Sequence, residues 1–181
     1  RRATKDGITL QLDQTGSELK DFLNIYYSTM ERNRANNYYY FPESYFKDIN
    51  LNLMGNYAYF HATMDKKIVS TELVLFSDKY AYSFMGGTLS EYYSSRPNDF
   101  LKVEIIRWCK ESGKELFVLG GGYTKNDGIY QYKKAFSPNS TADYYVGKYI
   151  HNHDIYDKLV SLRAQEKKDD KNTTFFPAYR G

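Results

Sequence analysis

Hydrophobic positions change period several times along the chain, and each change marks an element. Ile8 to Leu12 alternates apolar and polar residues and predicts a short strand ending at Asp13. Leu19, Phe22, Leu23, Tyr26, Tyr27 and Met30 then recur at helical spacing, with Ser17 as the expected N-cap, until the polar stretch from Asn33 to Asn37 stops them. Pro42 opens a second helix through Tyr45, Phe46 and Ile49 to about Met54, with Gly55-Asn56 as its stop. Tyr57 to Met64, Lys67 to Phe76 and Lys79 to Met85 are three β-rich runs. The pairs Asp65-Lys66 and Ser77-Asp78 between them leave room only for hairpins, so these runs form an antiparallel meander.

Beyond Gly86-Gly87, Pro97 starts a periodic helix that carries Phe100, Leu101, Val103, Ile105, Ile106, Trp108 and Cys109 and closes at Gly113. Leu116 to Leu119 reads as a short buried strand. Gly120-Gly121-Gly122 leads to a helix from about Gly128 to Phe136, a strand from about Asp143 to Ile150 and a last helix from about Ile155 to Glu166. This order predicts a mixed α/β (α+β) fold, a central mixed sheet containing the meander with helices on both faces. The strands Lys79–Met85 and Leu116–Leu119 are expected to splay apart and open a cleft.

Composition narrows the classes. A chain of 181 residues with 41% hydrophobic content and net charge +3 has the means to build one core, so a single domain over residues 1–181 is expected and disorder is excluded. No long apolar run predicts a membrane span, and the polar start has no signal-peptide pattern, which points to the cytoplasm. The lone Cys109 lies on an apolar stripe and reads as a packed thiol. Charges are interspersed, the run from Glu166 to Lys171 balances itself as a solvated helix end, and no basic face for nucleic acid emerges. His151 and His153 lack a third ligand, so no metal is expected, and no Gly-x-Ser-x-Gly elbow marks a serine hydrolase. Tyr is abundant, 20 against one Trp, and Tyr38-Tyr39-Tyr40-Phe41 is a candidate cleft wall.

Several ordered patterns carry a resemblance. They are Thr29-Met30-Glu31-Arg32-Asn33, Tyr82-Ser83-Phe84-Met85-Gly86-Gly87-Thr88, and Pro97-Asn98 with Leu101 and Trp108. Leu119-Gly120-Gly121-Gly122 followed by Asp127-Gly128-Ile129-Tyr130-Gln131-Tyr132-Lys133-Lys134-Ala135-Phe136, and the tail Phe176-Pro177-Ala178-Tyr179-Arg180, complete the set. Together they resemble the FemAB-type branch of the GNAT acyltransferase superfamily, the peptidoglycan-bridge aminoacyltransferases and their capsule-locus relatives. The resemblance implies a GNAT-like fold and transfer of an acyl or aminoacyl group to a cell-wall or surface-polysaccharide precursor. Because FemAB-type enzymes commonly hold two such domains, it also implies an N-terminal GNAT-like partner domain in a longer protein. The phosphate-holding loop of ordinary GNAT enzymes is absent between Gly87 and Pro97. That absence favours an aminoacyl-tRNA donor over acetyl-CoA, with tRNA as a partner. The alternatives are acetyl-CoA-dependent N-acetylation of an amino sugar or other amine, and a catalytically silent domain that only binds substrate.

Acyl transfer to an amine needs stabilisation of negative charge on the carbonyl oxygen and a route for the proton. The family motif implies that Lys133 supplies that positive charge. Glu72 interrupts the apolar run from Ile68 to Phe76, where a carboxylate must face a wet cleft or be paired, and it is the candidate proton acceptor or amine anchor. Gly120, Gly121 and Gly122 permit close backbone approach at a strand end. Arg32 is placed to clamp a phosphate or carboxylate of the acceptor. Tyr82, Tyr130 and Tyr132 are expected to line the cleft, and Tyr123 and Asp127 complete the candidate substrate-binding set. Helical geometry turns Lys133 and Lys134 to different sides, so only Lys133 is expected to face substrate.

Overall fold

A computed structural model describes residues 1–124, 126–167 and 175–180. The chain divides into two compact units, Arg1–Phe136 and Ser137–Gly181. The first contains one five-stranded sheet in the order β1-β2-β3-β4-β5, formed by β1 (Thr9–Asp13), β2 (Tyr57–Met64), β3 (Lys67–Phe76), β4 (Tyr80–Thr88) and β5 (Leu116–Val118). The first four strands run antiparallel to their neighbours, and β5 joins β4 in parallel. Its helices are α1 (Arg2–Lys5), α2 (Leu19–Arg32), α3 (Glu43–Asn52), α4 (Pro97–Glu111) and α5 (Gly128–Phe136). The mixed α/β architecture read from the hydrophobic pattern is therefore the architecture found.

The meander forms for the anticipated reason. Asp65 and Lys66 both take positive φ, 49° and 65°, the paired left-handed conformation whose twist matches a two-residue hairpin. Helices cover both sheet faces. On one face Leu19, Phe22, Leu23 and Tyr26 of α2, with Phe46 and Ile49 of α3, pack on Tyr57, Tyr59 and Leu73. On the other face Leu101, Ile105 and Cys109 of α4 pack on Ala58, Phe60, Val74 and Ala81. Burial pushes the Cys109 thiol up to about 11, as suits a packed rather than a reactive cysteine.

One expected cap is supplied differently. Helix α2 begins at Leu19 without a side-chain cap from Ser17 or Glu18. Instead the Asp13 carboxylate, at the end of β1, accepts the backbone N–H groups of Thr15 at 2.8 Å, Gly16 at 2.9 Å and Glu18 at 3.0 Å. Burial alone would raise the Asp13 pKa, but these hydrogen bonds outweigh it and hold the carboxyl below its usual value.

Strand β4 departs from a regular ladder in two places. Leu73 faces Met85 while the next residue, Val74, faces Ser83, so Phe84 is the extra residue of a β-bulge. The ladder with β5 covers only Tyr80↔Leu116, Ala81↔Phe117 and Tyr82↔Val118, whereas β4 runs on to Thr88. The expected splaying of two strands is not what opens this edge: β5 is paired along its whole length and stops at Val118, and β4 runs on alone past Tyr82.

In the second unit, α6 (His153–Lys167) begins where the Asn152 side chain accepts the Ile155 N–H at 3.0 Å. Tyr156 of α6 stacks on Phe176 and meets Tyr179 edge-on, and its hydroxyl accepts the Ala178 N–H at 3.0 Å. The strand expected over Asp143 to Ile150 does not form. Tyr144 and Tyr145, neighbours that a strand would point to opposite faces, are 90% and 84% exposed, so the β-prone residues have no ladder partner to pack on. The end of the charged run from Glu166, Lys168 to Lys171, lies outside the described residues. Among the described residues no helix is long and apolar enough to cross a membrane.

Candidate active site

Where β4 leaves β5, a cleft of about 330 Å³ opens in the first unit, lined among others by Glu72, Ser83, Asn98, Lys102, Tyr132 and Lys133. Its inner wall is a closed polar cluster. Lys102 Nζ of α4 donates to both carboxylate oxygens of Glu72, at 2.6 and 2.7 Å, and to Ser83 Oγ at 3.0 Å. Ser83 Oγ in turn donates to Glu72 Oε1 at 2.6 Å. Glu72 and Lys102 are only 5% and 4% exposed, so removing either would leave the other buried without its partner. Glu72 therefore lies in the cleft wall, as anticipated, with its carboxylate already answered by a cation.

The outer wall is built by the glycine turn and α5. The Asp127 carboxylate accepts the N–H groups of Tyr123 at 2.6 Å, Thr124 at 2.8 Å and Tyr130 at 2.8 Å, binding the loop to the first turn of α5. Those hydrogen bonds, Thr124 foremost, hold the Asp127 carboxyl below its usual range. A side chain on Gly122 would run into the Asp127 carboxylate, which explains a glycine there without invoking a ligand. Lys133 Nζ donates to the Gly121 carbonyl at 2.8 Å. Burial, and then the nearby Lys102 charge, push the Lys133 ammonium below the usual lysine value, while Glu72 and Asp127 act in the opposite sense. Lys134 is exposed, with its ammonium 5.8 Å from the Tyr130 ring centre.

Tyr132 closes the cleft from the same helix. Its hydroxyl oxygen accepts the Asn98 side-chain N–H at 2.9 Å. Burial raises its pKa, and the negative charges of Asp99 and Glu72 add to the effect, so the phenol keeps its proton at neutral pH.

A second cleft of about 600 Å³ shares Gly86, Gly87 and Asn98 with the first and extends past Thr88 to Arg32, Tyr93 and the start of α4. Arg32 Nη1 donates to the Thr88 carbonyl at 3.1 Å, and its guanidinium lies 5.2 Å from the Tyr93 ring centre. A side chain at Gly87 would strike Thr29 and the Ile25 carbonyl, so glycine here lets α2 pack flush against β4.

The cleft thus brings together Glu72, Tyr132 and Lys133, with Arg32 at its extension. Tyr82 is exposed on β4, and Tyr123, Tyr130, Asp127 and the three glycines support the outer wall without lining either cleft. Tyr38 to Phe41 also stay outside both, although the Tyr39 ring meets Tyr123 at 6.5 Å. Sequence reasoning passed over Lys102, Ser83 and Asn98. A signal for Lys102 was present: Asn98, Leu101, Lys102, Ile105 and Cys109 share one arc of α4, and a carboxylate inside the β3 apolar run calls for a buried cation opposite.

A family model described as an acetyltransferase (GNAT) domain matches residues 1–134. The chain belongs to this GNAT family, and it is an acyltransferase. A search of curated proteins gives no match. Among solved structures, the aminoglycoside acetyltransferase meta-AAC0020 from an uncultured soil metagenomic sample, in complex with sisomicin, is 15% identical with TM-score 0.54, covering 80% of this chain and 95% of that one. The aminoglycoside N-acetyltransferase AAC(6')-Iy in complex with CoA is 9% identical with TM-score 0.58 and the same coverage of 80% and 95%. The C-terminal domain of a putative lysylphosphatidylglycerol synthetase from Agrobacterium fabrum is 17% identical with TM-score 0.51, covering 66% of this chain and 37% of that one. At these identities the likeness is one of fold.

Proposed function

We propose that this GNAT chain is an acetyl-CoA-dependent N-acetyltransferase whose reaction takes place in the cleft between β4 and β5. The observation that carries the reading is the free edge of β4. From Ser83 to Gly87 this edge has no ladder with β5 and runs beside both clefts, from Lys133 and Tyr132 toward the first turn of α4, while at Thr88 the N–H and carbonyl are taken by Thr29 and Arg32. An unpaired strand edge offers alternating N–H and C=O groups, which fits the amide-bearing arm of CoA. The unpaired backbone N–H groups at the start of α4, with Arg96 beside them, suit its phosphates. Bound there, acetyl-CoA supplies a thioester-activated acetyl group.

The chain's own groups then divide the work. The neutral acceptor nitrogen bonds the carbonyl carbon, the C–S bond breaks, the nitrogen gives up a proton to water in the open cleft, and the sulfur takes one from Tyr132, which the released proton restores. Lys133 Nζ, steadied by Gly121, sets a positive charge against the oxygen that becomes negative. Tyr132, whose oxygen accepts from Asn98, keeps its own proton to deliver to the departing sulfur. Glu72 is the fixed charge of the inner wall, bound by Lys102 and Ser83.

The FemAB-type reading, with an aminoacyl-tRNA donor and a cell-wall or surface-polysaccharide acceptor, gains no support from the family match or from the solved structures. Calorimetric titration separates the two donors. Acetyl-CoA binding in the micromolar range, about −8 kcal/mol, is expected. Binding that is only millimolar, together with tight binding of an aminoacyl-tRNA, would overturn the proposal.

A further inference from the structure

We propose that the rings of Tyr39 and Tyr123, with Tyr38 beside them, form a platform for a sugar ring, so that the amine acetylated by this protein is carried by an oligosaccharide of two or more rings. The inference rests on the acetyltransferase reading above and adds to it the class of acceptor.

The platform stands next to Lys133 and apart from the donor. Lys133 Nζ holds the Gly121 carbonyl at 2.8 Å, and Tyr123 follows two residues later, so about 7 Å of chain at most separates their backbones. The Tyr39 ring meets that of Tyr123 at 6.5 Å between centres and 71° between planes, and Tyr38 meets Tyr39 at 5.4 Å and 84°. The reach of one sugar ring and its linkage is of the same order, so an amino sugar with its nitrogen at Lys133 brings the next ring of its chain to Tyr123. The donor's seat, along the free edge of β4 to the first turn of α4, includes none of these tyrosines.

The backbone beneath the rings is fixed. The Tyr26 hydroxyl of α2 donates to the Tyr39 carbonyl, the Tyr27 hydroxyl to the Phe41 carbonyl at 2.7 Å, and the Asn36 side chain accepts the Tyr38 N–H at 2.9 Å. Tyr123 is pinned by its own N–H, which donates to Asp127 at 2.6 Å. Yet Tyr38 and Tyr123 leave 74% and 75% of their surface open. Rings displayed on a fixed backbone have little freedom to lose on binding. Their chemistry selects the occupant: a phenol offers a flat apolar face with a polar edge, which matches the C–H face and hydroxyl rim of a pyranose. A purely aliphatic partner would bury the phenol oxygens, and the amides of Asn33, Asn36 and Asn37 beside them, without answering them. A polycation would look for carboxylates, and the segment from Asn33 to Phe41 has none.

The test uses glucosamine, its β-1,4-linked disaccharide and the ringless diamine cadaverine as probes. Binding is measured by calorimetry without donor, and turnover by CoA release. The wild-type protein is compared with Tyr123→Ala, Tyr39→Ala, Tyr123→Phe and the control Met54→Ala, an equally open apolar residue beyond the far end of α3, after melting curves confirm folding. The wild type is expected to bind the disaccharide ~10-fold or more tightly than glucosamine, the scale of burying one ring face on another. Tyr123→Ala and Tyr39→Ala should each erase most of that preference, Tyr123→Phe should keep most of it because the ring face remains, and Met54→Ala should keep all of it. The KM of CoA release should follow the same order, with acetyl-CoA affinity unchanged throughout. Equal binding of the two sugars by the wild type, no binding of either, cadaverine binding as tightly as the disaccharide, or a preference that survives in either alanine variant would overturn the proposal. So would self-association of the wild type that Tyr123→Ala abolishes, which would give the platform to a second copy of the chain. Failure of the wild type to bind acetyl-CoA would instead defeat the acetyltransferase reading, and the donor-free binding arm would still decide the role of the tyrosines.

Discussion

On the inner wall of the cleft, Lys102 is sealed and directs its donors to Glu72 and Ser83; on the outer wall, Lys133 gives one donor to a backbone carbonyl and faces open space. The two ammonium groups are close enough to depress the titration of Lys133. Their surroundings give them different work. A charge closed by a carboxylate at 2.6 Å holds strands and helix together, and a new negative charge gains little from it. A charge whose one hydrogen-bond partner among the described residues is a backbone dipole, in a half-buried cleft, remains available to whatever negative charge appears there. Burial and pairing, rather than residue type, separate the lysine that closes the wall from the one left available.

The largest effect should come from breaking the inner wall. Lys102→Met leaves Glu72 buried without a cation and is expected to cost about 3–5 kcal/mol of stability in urea unfolding. The double variant Lys102→Met with Glu72→Leu should recover most of that loss, because the pair's desolvation disappears with it. A single variant as stable as the wild type would show that the cluster is not the clasp described here.

The outer wall should respond in activity instead. Lys133→Met is expected to lower turnover by roughly a hundredfold, about 2.7 kcal/mol, with little change in melting temperature.

A third buried polar site sharpens the contrast. His61 on β2 faces Thr71, the neighbour of Glu72, and is fully buried; its Nδ1 shares a 2.8 Å hydrogen bond with Thr71 Oγ1, and its Nε2 has no partner among the described residues. Burial lowers its pKa from 6.5 to about 4. The folded chain thus keeps His61 neutral where the unfolded chain takes up a proton, so stability should fall as pH drops below about 6.5, by about 2 kcal/mol between pH 8 and pH 5. Unfolding curves at those two pH values for the wild type and His61→Leu would check this, the variant showing the flatter dependence.

The smallest effect concerns the loop that supports Lys133. Asp127→Ala releases the N–H groups of Tyr123, Thr124 and Tyr130, and hydrogen exchange should quicken at those amides with a modest loss of turnover. Unchanged exchange there would mean that the loop holds its shape without the carboxylate.

Elements set by a local period were legible in the sequence. The meander, α4 and α5 stand where alternation, helical spacing and turn residues put them, because each pattern repeats within a few residues. Features that depend on a distant partner were not. The run Asp143 to Ile150 has strand-forming residues but no edge to pair with, and Ser17 has the chemistry of a cap, yet Asp13, from the strand before it, takes that role. In the site, Glu72 could be singled out because it breaks an apolar run, whereas its answer, Lys102, looks like any surface lysine until α4 is laid on β3. The glycine turn reads as a place for substrate, but that Asp127 would pack beside Gly122 and hold the N–H groups of Tyr123 and Thr124 depends on how the loop folds back on α5.

The most direct test of the account sets Lys133 against its neighbour Lys134. Acetyl-CoA-dependent CoA release is measured for Lys133→Met and Lys134→Met with the same amine acceptor, beside melting temperatures for both. The account predicts a roughly hundredfold lower rate for Lys133→Met at a nearly unchanged melting temperature, and wild-type behaviour for Lys134→Met. Equal rates for the two variants, or a loss in Lys133→Met that tracks a collapse in melting temperature, would contradict it.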